Sequence, residues 1–291
     1  MAKYRGSPLG IKLIITLYNQ FGYAGIKWLV WIVALFYAII SRAKRSELDS
    51  YYKAVGLESA FSTYFRHIHA FSLNIFDRFV ANESTQEKLT IERVNVEAFQ
   101  ALHKSGGILT LSHHGNWAQS FKIFQTYDVK LNIIGDEAID EGIQKLETQG
   151  DANRRINIIS MKEGMQAMLD IARAINNQEI IIIMVDRITQ ENKTVNVDFL
   201  GKKTCLNSGA FEIARMRNTP MLGCDIVRDG DEKLKVQFSD IIISQQTDKE
   251  KIIPDLAQQY ANFLEKVVRE YPLQWFNFYE FWEEKEIPLT A

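Results

Sequence analysis

The chain has 291 residues and 46% hydrophobic content, enough to bury a sizeable core in one large domain or two small ones. A formal net charge of −2 gives no global basic field, which argues against nucleic acid as a partner. Its two cysteines, Cys205 and Cys224, exclude a disulfide framework and any all-cysteine metal site.

Residues 21–40, "FGYAGIKWLVWIVALFYAII", are apolar except for Lys27, and about 20 such residues match the thickness of a hydrocarbon core. Trp28, Trp31 and Tyr37 suit a membrane interface better than a tight protein core. No small-residue cleavage site follows; the charged stretch "SRAKRSELDSYY" continues as helix, so a retained membrane segment is expected rather than a signal peptide. Lys3, Arg5 and Lys12 precede the segment and Arg42, Lys44 and Arg45 follow it. A full crossing and a helix lying shallowly in one leaflet, its cations on anionic lipid, both fit that charge pattern. Residues 1–46 are therefore expected to form a membrane-associated or transmembrane unit, and 47–291 a single α/β domain.

Residues 47–82 read as helical, with Tyr51, Leu57, Phe61, Tyr64, Phe65, Ile68 and Phe71 recurring at three- and four-residue spacing. From about residue 88 short apolar runs alternate with amphipathic stretches. "GILTLSH", "VKLNIIG", "INIIS" and "EIIIIMVD" predict strands, and "NWAQSFKIFQTY", "EAIDEGIQKLETQ", "MKEGMQAMLDIARAIN" and "SGAFEIARMR" predict helices. Alternation of this kind implies a mostly parallel central sheet flanked by helices. "KTVNVDFLG", "MLGCDIVRDG" and "EKLKVQFSD" add strands, the last two joined by a turn rich in Asp and Gly. The end is a long helix stopped by Pro272 and followed by a dense aromatic tail.

In an open α/β sheet, ligands bind beyond the carboxyl ends of the strands. The run "ILTLS" delivers His113 and His114 to such an end; Gly115 permits a sharp turn, and Asn116 is placed to cap the helix that follows. A histidine there suits general-base work, because its pKa lies near the working pH and a carboxylate can hold its second nitrogen. Adjacent histidines on an extended chain diverge, and no third ligand follows at metal spacing, so a metal site is not expected. The strand "EIIIIMVDR" brings Asp186 and Arg187 to its own carboxyl end. They are either an exposed charge pair or the partners of His113, with Asp186 stabilising its imidazolium and Arg187 binding phosphate or carboxylate. There is no glycine-rich nucleotide loop and no "GxSxG" elbow.

With the hydrophobic N-terminal helix and an early "RGS", the motifs "HHGNW", "VDR", "VNVDFLGKKTCLNSGAFEIARMRNTPM" and "YPLQWFNFYEFW" make the chain resemble the late lipid A acyltransferases. Relatives of that family include phosphatidylinositol mannoside acyltransferases and acyltransferases of aryl polyene pigment clusters. The resemblance implies a glycerol-phosphate-acyltransferase-like fold and an enzyme at the cytoplasmic face of the bacterial inner membrane. It implies transfer of an acyl group from a thioester on acyl carrier protein or coenzyme A to a hydroxyl of a glycolipid, without metal or redox cofactor. By the same resemblance His113 is the catalytic base, Gly115, Asn116 and Trp117 shape its turn, and Asp186 aligns with an acidic catalytic position. The chain departs from the family where an acid usually stands five residues after the histidine: that position is Ala118, and counting from His114 gives Gln119. Either Asp186 does the whole work, with Gln119 at most holding a tautomer, or the chain is a degenerate lipid-binding relative; a pigment or other secondary lipid is an alternative acceptor.

Overall fold

The computed structural model describes residues 8–83, 90–124, 127, 129–135, 156–188 and 193–282. The helix predicted over "EAIDEGIQKLETQ" lies outside them. Seven strands form the main sheet: β1 (Thr90–Val94), β2 (Gly107–Leu111), β3 (Leu131–Ile134), β4 (Ile156–Ile159), β5 (Ile180–Met184), β8 (Met221–Arg228) and β9 (Lys233–Ile242). Their spatial order is β1-β9-β8-β2-β5-β3-β4, and every pairing is parallel except β8 with β9. The expected mostly parallel sheet is present.

Period-two alternation puts the apolar strands to use on both faces. In β5, Ile181 and Ile183 join one core with α6 (Met165–Asn176), α7 (Gly209–Arg217) and α8 (Lys249–Glu270). Ile180 and Ile182 join the opposite core, with Phe99 and Leu102 of α4 (Val96–Ser105) and Phe124 of α5 (Ser120–Phe124). Burial on both sides fixes the register, because a one-residue slip would exchange the two faces.

Three expectations are corrected. The helical stretch from 47 is not continuous: α2 (Asp49–Ala54) ends before a turn containing Gly56 at φ +75, and α3 (Phe61–Glu83) starts afresh. Residues Arg42–Leu48 form a 3-10 helix, so the first helix ends at Ile40. "VNVDF" does not enter the main sheet; β6 (Thr194–Phe199) pairs antiparallel with β7 (Lys202–Asn207) as a separate hairpin. β1, which carries no apolar run, is an edge strand.

The first helix, α1 (Pro8–Ile40), breaks its helical geometry at Gly22 (φ 64, ψ −160). Its span from Thr16 to Ile40 is long and apolar enough to cross a membrane, by length and composition. One face is buried along α3: Tyr18, Tyr23, Ile26 and Val30 pack with Leu73 and Phe76, while Ala34 and Ala38 join the core that holds Tyr64 and Ile68. Tyr18 meets Phe76 and Trp31 meets Phe65, so the two helices run antiparallel. Phe21, Trp28, Ile32, Phe36, Ile39 and Ile40 are exposed on the rest of its surface. Lys27, the one charge within 21–40, ion-pairs with Asp231 at the β8–β9 turn, 3.4 Å away.

Candidate active site

Leu111 and Met184 are register partners on adjacent parallel strands. The residues two positions further on, His113 and Asp186, therefore leave the sheet side by side. The His113 Nδ1 lies 2.8 Å from Asp186 Oδ1, and the His113 backbone N–H donates to Asp186 Oδ2 at 2.9 Å. A carboxylate can only accept, so Nδ1 carries the proton and Nε2 presents its lone pair. Asp186 is fully buried, whereas the His113 side chain keeps 16% of its surface exposed. Burial alone would raise the Asp186 carboxyl; the charge and hydrogen bonds of His113, with Asn277, outweigh it and bring the pKa from 3.8 to about 2. The pair is thus an ionised buried carboxylate behind an accessible imidazole, an arrangement able to take a proton and hold the resulting charge.

His114 faces the other way and is buried. Its Nδ1 sits 2.7 Å from Asp225 Oδ1 and its Nε2 3.0 Å from the Tyr271 carbonyl. It ties strand β8 to the start of the tail, and no edge of it reaches the surface.

Gly115 makes the turn possible. At φ +61, a Cβ there would stand 2.0 Å from the Ile226 carbonyl oxygen, so no side chain fits. Its N–H donates to Gln274 O at 2.7 Å, and its carbonyl accepts from the Asn74 side chain of α3. Asn116 was expected to cap the next helix and does not: it makes no side-chain cap bond, and its amide donates to Asp77 Oδ2 at 2.8 Å. The reason is local. The turn that follows is a 3-10 turn, Trp117–Gln119, and donation from Nδ2 to the buried Asp77 carboxylate, which is also paired with Arg228, fixes how the amide is oriented. Gln119 likewise reaches α3, donating to the Asp77 carbonyl at 2.8 Å, so it does not hold the His113 imidazole. Trp117 stands edge-on to the His113 ring, centroids 6.0 Å apart.

The aromatic tail builds much of the site, which spacing did not disclose. Phe276 N–H donates to the His113 carbonyl at 2.9 Å, so the tail pairs with the histidine turn like a short strand. Trp275 Nε1 and Asn277 Nδ2 both donate to Asp186 Oδ2, at 3.2 and 2.9 Å. Arg187 donates from Nε to Asn277 Oδ1 at 3.0 Å and from Nη2 to the Phe276 carbonyl at 3.1 Å, which ties it to the tail while its side chain stays exposed. From α3, His67 secures the Trp275 carbonyl through Nε2 at 3.0 Å; burial pushes its pKa down to about 4, against the pull of that carbonyl, and keeps it neutral.

A fold of this class, with an imidazole–carboxylate pair at the carboxyl ends of two neighbouring parallel strands, suits an enzyme that deprotonates a hydroxyl. The family of bacterial lipid A biosynthesis acyltransferases matches residues 56–284. The chain belongs to that family, and it is an acyltransferase acting on lipid. Among solved structures it is similar to the 1-acyl-sn-glycerophosphate (LPA) acyltransferase PlsC from Thermotoga maritima, at 11% identity and a TM-score of 0.42, over 84% of this chain and 95% of that one. So loose a likeness carries no argument. No curated protein matches the chain in sequence.

Proposed function

We propose that the protein is a membrane-associated O-acyltransferase that moves a fatty acyl group from a thioester of acyl carrier protein or coenzyme A to a hydroxyl of a lipid A-like glycolipid. His113 Nε2 removes the hydroxyl proton as the oxygen attacks the thioester carbonyl, and Asp186 stabilises the imidazolium that forms. Collapse of the tetrahedral intermediate breaks the C–S bond, and the departing thiolate takes the proton from His113. The observation that carries this reading is the 2.8 Å contact between His113 Nδ1 and the fully buried Asp186. Gly115 and Asn116 shape the turn, and Trp117 is the neighbour of the imidazole on the substrate side.

Ala118 in place of the family's acid favours a second reading, a degenerate relative that binds lipid without turnover. The Asp186 contact supports the active one, because the nitrogen that a motif acid would hold already has a carboxylate. A pigment or other secondary lipid is the alternative acceptor.

We also propose that the protein lies on the cytoplasmic face of the bacterial inner membrane, with residues 1–46 as the membrane element and 47–291 as the catalytic domain. Side-by-side packing of α1 on α3 and the Lys27–Asp231 pair favour a helix lying in one leaflet, since a crossing helix would carry the β8–β9 turn into hydrocarbon.

Mass spectrometry of lipids from a deletion strain tests the activity. One acyl chain should disappear from one lipid class and return with the wild-type gene but not with His113→Ala. Full return with His113→Ala would overturn the assignment.

A further inference from the structure

Asp186 accepts four hydrogen bonds, two from His113 and two from the tail. The tail donors differ in how they are held. Trp275 is fixed by packing, with Phe199 and Phe281 against its ring. Asn277 is oriented by charge: Arg187 can only donate, so its Nε–H turns the Asn277 oxygen toward itself and the Nδ2–H group toward Asp186. Because Arg187 follows Asp186 directly in the chain, the three residues close a ring, Asp186 to Asn277 to Arg187 and back along the backbone.

We propose that Asn277 and Arg187 are positioning residues that set the basicity of the His113–Asp186 pair, with Arg187 acting from behind the carboxylate through Asn277. This rests on His113 being the base. Each donor to Asp186 Oδ2 draws negative charge away from the oxygen that faces His113. A carboxylate with fewer donors is more basic and holds a proton on the imidazole more firmly, so the free base forms only at higher pH. The tail donors thus set how strongly Asp186 holds the Nδ1 proton of His113. They also lock the carboxylate plane against rotation, as outer partners of reactive histidines do.

Steady-state kinetics on the full-length protein in detergent, with lauroyl-coenzyme A and a total lipid extract as acceptor, test this by thiol release. Asn277→Ala and Arg187→Leu should each lower kcat roughly ten- to a hundredfold, in the range seen for outer partners of ligating histidines, with KM nearly unchanged. The acid limb of kcat/KM should move to higher pH in both. Arg187→Gln, which retains an amide donor for Asn277, should recover part of the rate and return the limb toward wild type. Arg187 is exposed, so its variants should fold, and far-UV circular dichroism checks that they do. A raised KM with unchanged kcat on loss of Arg187 would make it a substrate contact and overturn the proposal. A lower kcat with an unmoved acid limb would overturn it too, leaving a structural role alone. Full activity in His113→Ala, run in parallel, would instead bring down the underlying assignment of the base.

Discussion

The ring of His114 lies between two acceptors, with Nδ1 2.7 Å from Asp225 and Nε2 3.0 Å from the Tyr271 carbonyl. Satisfying both requires both ring protons, which makes this histidine an imidazolium. Burial pushes its pKa down, but the Asp225 charge and hydrogen bond, helped by Tyr271, raise it above 6.5 on balance. A histidine raised in the folded state stabilises the fold fully below its unfolded pKa and loses that contribution as pH rises through the folded value. Urea midpoints should therefore fall above neutral pH in the wild type. His114→Ala should cost about 3–5 kcal/mol near pH 6, since it strands the buried Asp225 charge, and the gap to wild type should narrow as pH rises. A His114→Ala protein as stable as wild type would sink this account.

His113 carries a catalytic expectation as well. His113→Ala should lose about 10²–10⁴-fold in acyl transfer, and some stability too, because the fully buried Asp186 loses its imidazole partner. Asp186→Asn should cost a comparable factor, since an amide neither fixes the tautomer nor balances the imidazolium. Thiol release assays on both variants decide the matter: wild-type rates in Asp186→Asn would dissolve the proposed pair.

The acid side of the stability profile should also report Asp186. Its pKa is depressed from 3.8 to about 2, so its contribution is present above the unfolded value and disappears as pH falls toward the folded one. A shift of nearly two pH units corresponds to about 2–3 kcal/mol. Wild type should lose that amount between about pH 5 and pH 1 beyond what Asp186→Asn loses. Equal acid sensitivity of the two proteins would contradict an ionised, buried Asp186.

At Gly115 the tolerance for change is nil. Alanine would meet the Ile226 oxygen at 2.0 Å and would hold a positive φ, strain of about 1–3 kcal/mol before any clash is relieved. Gly115→Ala should lower the melting temperature and abolish transfer, because relief of the contact moves His113 away from Asp186. Retained activity would show that the turn is more pliant than its contacts suggest.

The packing of α1 gives a topological expectation. The protein should sediment with membranes and resist high-salt washing, through Trp28, Ile32, Phe36 and their exposed neighbours. A tag placed before residue 8 should be cleaved by protease on the same side of the inner membrane as the catalytic domain. Cleavage from the opposite side would establish a full crossing.

Much of this site was legible because two strands announced themselves. "ILTL" and "IIIIM" are short apolar runs, and parallel neighbours that both end in polar residues bring those residues together. The divergence of His113 and His114 follows from the same two-residue period. What escaped detection depends on contacts between distant parts of the chain. Asn277 touches Asp186 across 91 positions, and Asn116 turns to Asp77 across 39, so no local spacing encodes either. The bonds of Arg187 to the tail were equally hidden, since Asn277 lies 90 residues further along the chain. β1 was missed because it is an exposed edge strand, two of its five residues charged, with no apolar run to mark it.

The tail also imposes an order in time. A chain grows from its N-terminus, and domains fold as their segments emerge. The apolar α1 is made first and can meet lipid early, while the residues that fasten the histidine turn, Gln274 to Asn277, are made after every strand of the sheet. Until they arrive, Asp186 lacks two of its four donors and Gly115 lacks its bond to Gln274. The site is thus completed last, and a chain stalled short of residue 274 lacks the bonds that hold the histidine turn in place.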